Sequence, residues 1–153
     1  MDQPFNTPVI GFYGFSGSGK TSLIYTIIQE LEKENIRVGV IKRTDKAISS
    51  EPPGKDTAGY RAAGAIVTSF LSASETNFVT SHPLNLLKII DTLRSLEQVD
   101  VIIIEGALEP EVPKIRIGDV PVREKTLFTY TGDFKVCMQE IKEIISSEKK
   151  GQK

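Results

Sequence analysis

The eight residues Gly14-Phe-Ser-Gly-Ser-Gly-Lys20-Thr21 constrain the fold of this chain more than any other segment. Glycines at 14, 17 and 19 let the backbone turn tightly and aim successive N–H groups inward, where phosphate oxygens can accept them. Lys20 adds a point charge for the β- and γ-phosphates of a nucleotide, and the Thr21 hydroxyl can ligate Mg²⁺. Such a loop needs a strand before it and a helix after it, and both are predicted here. Val9-Ile-Gly-Phe-Tyr13 reads as a short buried strand, and Thr21 to Glu34 carries Leu23, Ile24, Ile27, Ile28 and Leu31 at helical spacing. The positive end of that helix's dipole then points at the bound phosphates. Gly14, Ser16, Gly17, Ser18, Gly19, Lys20, Thr21 and Ser22 are the candidate nucleotide-binding residues. The bland alternative, a chance glycine-rich turn with a surface lysine, is disfavoured by this setting.

Three apolar, β-branched runs alternate with helical patterns: Val9 to Tyr13, Val38 to Ile41 and Val101 to Ile104. Apolar runs without polar alternation suit strands buried on both faces, as in a parallel sheet covered by helices. The first helix is expected to end near Asn35, with Arg37 to Lys42 as the second strand. Arg43 to Lys55, carrying Ser49-Ser50 and Pro52-Pro53-Gly54, reads as a mobile loop. Asp56 is a plausible N-cap for a short helix through Ala63 that Gly64 ends. Ala65 to Leu71 reads as a strand, Ser72 to Pro83 as a polar connection, and Leu84 to Leu96 as an amphipathic helix. Val101 to Ile104 is expected at the sheet's centre. Lys114-Ile-Arg-Ile-Gly118 alternates like a half-exposed strand, Leu127 to Tyr130 reads as another strand, and Phe134 to Ile145 as a final helix. The charged tail, Ser146 to Lys153, is expected to fray.

The fold class expected is therefore α/β: a mostly parallel sheet of the P-loop nucleotide-hydrolase kind, helices on both faces, plus extra strands. At 153 residues the chain suits a single nucleotide-binding domain over 1–147, with 148–153 as tail. Lys plus Arg total 19 and Asp plus Glu 20, a balance that argues against holding nucleic acid by bulk charge. The single cysteine, Cys137, excludes an internal disulfide and a cysteine metal cluster, and its apolar neighbours Val136 and Met138 mark it as core filler. His82 has no second histidine to join in a metal site or triad. The N-terminus lacks signal-peptide regions, and no apolar run approaches the ~20 residues that span a bilayer, so a cytoplasmic protein without membrane contact is expected.

A phosphate loop needs an acid for its metal at the end of a neighbouring strand. In Val101-Ile-Ile-Ile-Glu105-Gly106 a buried run meets a carboxylate, and ligands of open parallel sheets gather at the carboxyl ends of strands. Glu105 is thus expected near Thr21, these two being the candidate Mg²⁺ ligands. Gly106 would allow close backbone approach to a ligand. The alternative is a strand-end glutamate facing solvent. Lys42 ends the second strand with Thr44 just beyond it, and Lys55 and Asp56 open a helix. All four are candidate contacts to phosphate or a second substrate, against the plainer readings of a solvated strand end and a capped helix.

Together these residues resemble the MobB family, the GTP-binding accessory proteins of molybdopterin guanine dinucleotide biosynthesis. The resemblance rests on the loop Gly14 to Thr21, on Arg37-Val-Gly-Val-Ile-Lys42 with Thr44, and on Pro53-Gly-Lys-Asp56 through Arg61-Ala-Ala-Gly64-Ala65. It resumes at Asp100-Val-Ile-Ile-Ile-Glu105-Gly106 and Pro113-Lys114-Ile115. One departure stands out. The family follows its second strand with a histidine-rich stretch, Lys-His-Thr-His-His-Asp, where this chain has Lys42-Arg43-Thr44-Asp45-Lys46-Ala47. The resemblance implies a homodimer that binds GTP with Mg²⁺ and hydrolyses it slowly. It also implies a role assisting a MobA-type molybdopterin guanylyltransferase, with molybdopterin as a further candidate ligand.

The residues agree with slow turnover on their own terms. No glutamine follows Glu105-Gly106 to orient a water, and nothing in the sequence fixes Arg43, Arg61 or Arg116 as an arginine finger, so the catalytic residues are unassigned. Guanine preference rests on the resemblance, since an Asn-Lys-x-Asp motif is absent. The runner-up is a small-molecule or nucleotide kinase with Arg43 to Lys55 as its lid, although that segment lacks the paired arginines of a lid helix. A nucleotide-dependent scaffold or metallocentre-assembly switch is third, and the lack of Cys and His clusters argues against its handling metal.

Overall fold

Residues 7–52 and 54–150 are described by the structure, a computed structural model, the side chains of 148–150 apart. The N-terminal residues 1–6 and the last three residues of the expected tail lie outside the described residues. In chain order the elements are β1 (Val9–Gly14), α1 (Lys20–Lys33), β2 (Val38–Lys42), α2 (Asp56–Ala62), β3 (Val67–Leu71) and β4 (Thr76–Thr80). They continue with α3 (Leu86–Leu96), β5 (Val101–Glu105), β6 (Lys114–Ile117), β7 (Thr126–Tyr130) and α4 (Phe134–Lys150). The chain forms two compact units, one of residues 1–44 and 90–153 and the other of residues 45–89.

The first unit is built on a five-stranded sheet in the order β2-β5-β1-β6-β7, every neighbouring pair parallel. One face of it packs against two helices. Leu23, Ile24, Ile27 and Leu31 of α1 and Cys137, Met138, Ile141 and Ile145 of α4 join Ile10, Phe12, Val101, Ile103, Ile115 and Ile117 in one core. Each such side chain removed from water stabilises the fold by about 1.5–3 kcal/mol. On the opposite face α3 brings Leu93 against Gly39 of β2, with Ile90 buried beside it. Helices therefore cover both faces, as the apolar runs predict. Burial holds the Cys137 thiol at about 11, the behaviour of core filler rather than a nucleophile.

The helix ends follow local chemistry. Asn35 adopts φ 57° just past α1, where its N–H reaches the Glu32 carbonyl at 2.9 Å and that of Ile36 reaches Leu31 at 3.0 Å. This is a left-handed helix stop, and asparagine is among the few side chains that tolerate it. At the start of α4 the Asp133 carboxylate accepts from the Val136 N–H at 3.1 Å.

Several expectations are corrected. The central strand is β1, with β5 between it and β2. Strand β6 is not half-exposed: it lies between β1 and β7, and Lys114 is fully buried. The Lys114 ammonium donates to the carbonyls of Val112 at 2.7 Å and Glu124 at 3.0 Å, which lets a cation occupy an interior position. Burial lowers its pKa from the usual lysine range. The final helix continues to Lys150, past the expected stop at Ile145. Asp56 is the first residue of α2 rather than its cap, a position held by Lys55 without a side-chain hydrogen bond.

The second unit holds α2 and an antiparallel hairpin of β3 and β4. Strand β4 lies inside the stretch read as a polar connection. Its sequence Thr-Asn-Phe-Val-Thr shows too little apolar content to announce a strand, and it is held by the ladder to β3. Glu51 ties the preceding loop to α2 through Arg61 and Thr57, and Arg61 also donates to the Thr68 hydroxyl at 2.7 Å. Hydrogen bonds from Arg61 and Thr57 hold the Glu51 carboxyl below the ordinary carboxylate range.

Candidate phosphate-binding site

The central strand delivers the glycine-rich loop to the carboxyl end of the sheet. Gly14 ends β1 in close contact with β6, where a Cβ would sit 2.3 Å from the Ile117 carbonyl oxygen. Gly17 and Gly19 adopt φ 77° and 85°, left-handed values that side chains adopt at a cost. Helix α1 then begins at Lys20 with no side-chain cap and no acidic residue in its first turn. Its first-turn amides and its dipole are thus directed at the loop. The Lys20 ammonium donates to the carbonyls of Gly14 at 3.0 Å and Phe15 at 2.5 Å, and to the Ser18 hydroxyl at 3.3 Å. Ser16 and Ser22 are exposed on either side of that lysine.

Strand β5 places Glu105 beside the loop. The Thr21 hydroxyl donates to one Glu105 carboxylate oxygen at 2.7 Å, and the Lys42 ammonium lies 3.6 Å from the other. Two hard oxygens at that separation suit Mg²⁺, since adjacent corners of an octahedron with 2.0–2.1 Å arms lie about 3 Å apart. Among the described residues no cluster of three or more His, Cys, Asp or Glu offers a rival metal site.

The second strand brings Lys42 into register with Glu105. This pairing escaped the sequence reading, though a signal for it existed. Val-Gly-Val-Ile-Lys42 and Val-Ile-Ile-Ile-Glu105 are runs of equal length ending in opposite charges, so parallel pairing from a common start juxtaposes the charges. Gly106 has a different reason from the one expected. At φ 84° its missing Cβ would sit 2.6 Å from the Arg43 carbonyl oxygen, so the close approach it permits is to the neighbouring strand's continuation. The three arginines weighed as fingers are engaged elsewhere. Arg43 pairs with Glu109 at 2.6 Å, Arg61 with Glu51, and Arg116 donates to Thr129 at 2.9 Å and to the Val120 carbonyl at 2.9 Å.

Thr44 closes the first stretch of the first unit, two residues past β2. Lys55 and Asp56 belong to the second unit, where they line a cavity of about 620 Å³ with Phe70, Asn77 and Phe78.

The sequence model of the family described as "Molybdopterin guanine dinucleotide synthesis protein B" matches residues 9–138. The chain belongs to the MobB family. It is 33% identical over 112 residues to the Molybdopterin-guanine dinucleotide biosynthesis adapter protein of Escherichia coli, covering 71% of this chain and 63% of that one. A probable adapter protein of the same description from Bacillus subtilis is 32% identical over 119 residues, 75% of this chain and 66% of its own. The chain thus spans just under two thirds of the length of these curated relatives. The crystal structure of Bacillus subtilis MobB superposes with a TM-score of 0.68 at 22% identity, covering 90% of this chain and 97% of that one. A MobB homolog from Bacillus stearothermophilus gives 0.59 at 16%, covering 94% and 99%. These likenesses establish the fold, a P-loop arrangement with a parallel sheet between helices.

Proposed function

We propose that this chain is a GTP-binding adapter of molybdenum cofactor biosynthesis that assists the attachment of GMP to molybdopterin. The observation that carries the reading is the Thr21 hydroxyl and Glu105 carboxylate, 2.7 Å apart beside a glycine-rich loop, in a chain of this family. In this reading the amides of residues 14–19 and the Lys20 ammonium receive the phosphates, while Thr21 and Glu105 hold Mg²⁺. When bound, the metal offsets phosphate charge. Ser16, Ser18 and Ser22 supply hydroxyls around the loop. Lys42 and Thr44 in the first unit and, separately, Lys55 and Asp56 in the second are offered as contacts to phosphate or to a second substrate, molybdopterin among them. With Arg43, Arg61 and Arg116 engaged in other contacts, the chain is at most a slow Mg²⁺-dependent GTPase. The relatives' names favour this adapter role over the kinase alternative.

A competition titration of ATP against GTP tests the assignment, with GTP expected to bind more tightly. Equal affinity, or an ATP preference, would remove the guanine-dependent role.

The proposed partners are a MobA-type guanylyltransferase and a second copy of the chain, and the proposed compartment is the cytoplasm. Among the described residues no helix is long and apolar enough to cross a membrane. Strand β6 offers no free edge for a contact between copies, since it is paired on both sides. The hairpin is the better candidate. Ile66, Val67, Leu71 and Phe78 are 74%, 50%, 78% and 55% exposed, and the β3–β4 register puts Val67, Leu71 and Phe78 on one face. Exposed apolar strands are an association liability unless covered, and a two-fold contact covers both copies at once. Light scattering at micromolar concentration is expected to give twice the chain mass of 16.9 kDa. A monomer would refute the dimer.

A further inference from the structure

We propose that Lys42 is a built-in counter-ion for Glu105, standing where Mg²⁺ would otherwise neutralise that carboxylate, so that the loop can accept an anionic nucleotide before the metal arrives. The inference rests on the nucleotide reading of the loop given above. Its geometry is independent of that reading. Lys42 and Glu105 are direct partners in the parallel ladder of β2 and β5, so their side chains leave the same face of the sheet. The two oxygens of Glu105 face two partners: the Thr21 hydroxyl donates to one, and the Lys42 ammonium stands at ion-pair distance from the other. The carboxylate is the fixed member of the ion pair, its side chain only 14% exposed, whereas the lysine arm is 71% exposed. A divalent ion arriving at Glu105 therefore meets a cation that can swing into water at little cost.

The other cations near the loop are committed. Lys20 is directed to its own loop carbonyls and Ser18, and Arg43 to Glu109. Among the described residues Lys42 is the one cation within ion-pair distance of Glu105. The consequence for binding is electrostatic. A bare carboxylate at the end of β5 repels the phosphates that the adjoining loop is shaped to receive, and the repulsion is lifted when either an ammonium or a metal neutralises it. Lys42 then matters most when metal is absent. A lysine that instead touched the phosphates would matter equally in both conditions, so the two roles separate in one experiment.

Affinity for a fluorescent GTP analogue is measured in EDTA and in saturating Mg²⁺ for the unaltered chain, Lys42→Ala, Glu105→Gln and the double variant. Lys42→Ala is expected to weaken binding about fivefold in EDTA, the upper range for a largely exposed pair, and less than about twofold in Mg²⁺. Adding Glu105→Gln to Lys42→Ala is expected to restore binding in EDTA to within about twofold of the unaltered chain. An equal loss in both buffers, no loss in EDTA, or no recovery in the double variant overturns the proposal while leaving the nucleotide site standing. No binding by the unaltered chain in either buffer overturns both.

Discussion

Replacing Lys20 by alanine is expected to abolish GTP binding at micromolar concentration, a loss of roughly tenfold to a hundredfold, with the fold intact. Hydrogen bonds to a charged group contribute about 1.5–3 kcal/mol, which is that range in affinity. The structure explains why the fold survives. The ammonium's partners are the carbonyls of Gly14 and Phe15 and the Ser18 hydroxyl, all in the loop itself and none in the core. Calorimetric titration with GTP and Mg²⁺, beside a thermal melt, checks both halves of the expectation. Thr21→Ala supplies the contrast. Assigned to the metal, it is expected to weaken binding in Mg²⁺ and leave binding in EDTA unchanged. Unaltered GTP affinity in the Lys20 variant would remove the nucleotide site altogether.

Gly106→Ala is expected to lower stability by about 3 kcal/mol. Part of this comes from forcing a side chain into the left-handed backbone region, about 1–2 kcal/mol, and part from crowding. The crowding is severe because the atom met is a backbone oxygen, that of Arg43, 2.6 Å from the new Cβ, and both strands are fixed in the ladder. For a chain of this size the melting temperature should fall by roughly 6–12 °C. The relaxation that accommodates the methyl group also moves the neighbouring Glu105, so the Mg²⁺ dependence of binding should weaken along with stability. A melt within about 2 °C of the unaltered chain would show that β2 and β5 part easily at this end.

The sequence reveals most about those parts whose stabilisation is local or purely apolar. The runs that became β1, β2 and β5 are legible because a strand buried on both faces must be apolar throughout. The loop and Glu105 are legible because phosphate and metal chemistry dictate residue type and strand position. What could not be read depends on partners distant in sequence. Lys114 and Arg116 make β6 look half-exposed, since a sequence does not show that Val112 and Glu124 will offer carbonyls to a buried ammonium. The place of β1 at the centre is a matter of strand order, which composition does not encode. Thr76 to Thr80 becomes a strand only because β3 lies opposite. The pairing of Lys42 with Glu105 is a matter of register, visible once two strands are known to start level.

The central position of β1 bears on the thermodynamics of ligand capture. The strand is hydrogen-bonded along both sides, to β5 and to β6, and α1 on the far side of the loop is pinned by Leu23, Ile24, Ile27 and Leu31. Amides suspended between two such anchors have little motion to surrender when phosphate arrives. The ordering penalty, about 0.5–1.5 kcal/mol for each immobilised flexible side chain, then falls chiefly on the Lys20 arm, which must let go of its own loop carbonyls. Association at this site is therefore opposed less by lost backbone entropy than by a single exchange of hydrogen bonds.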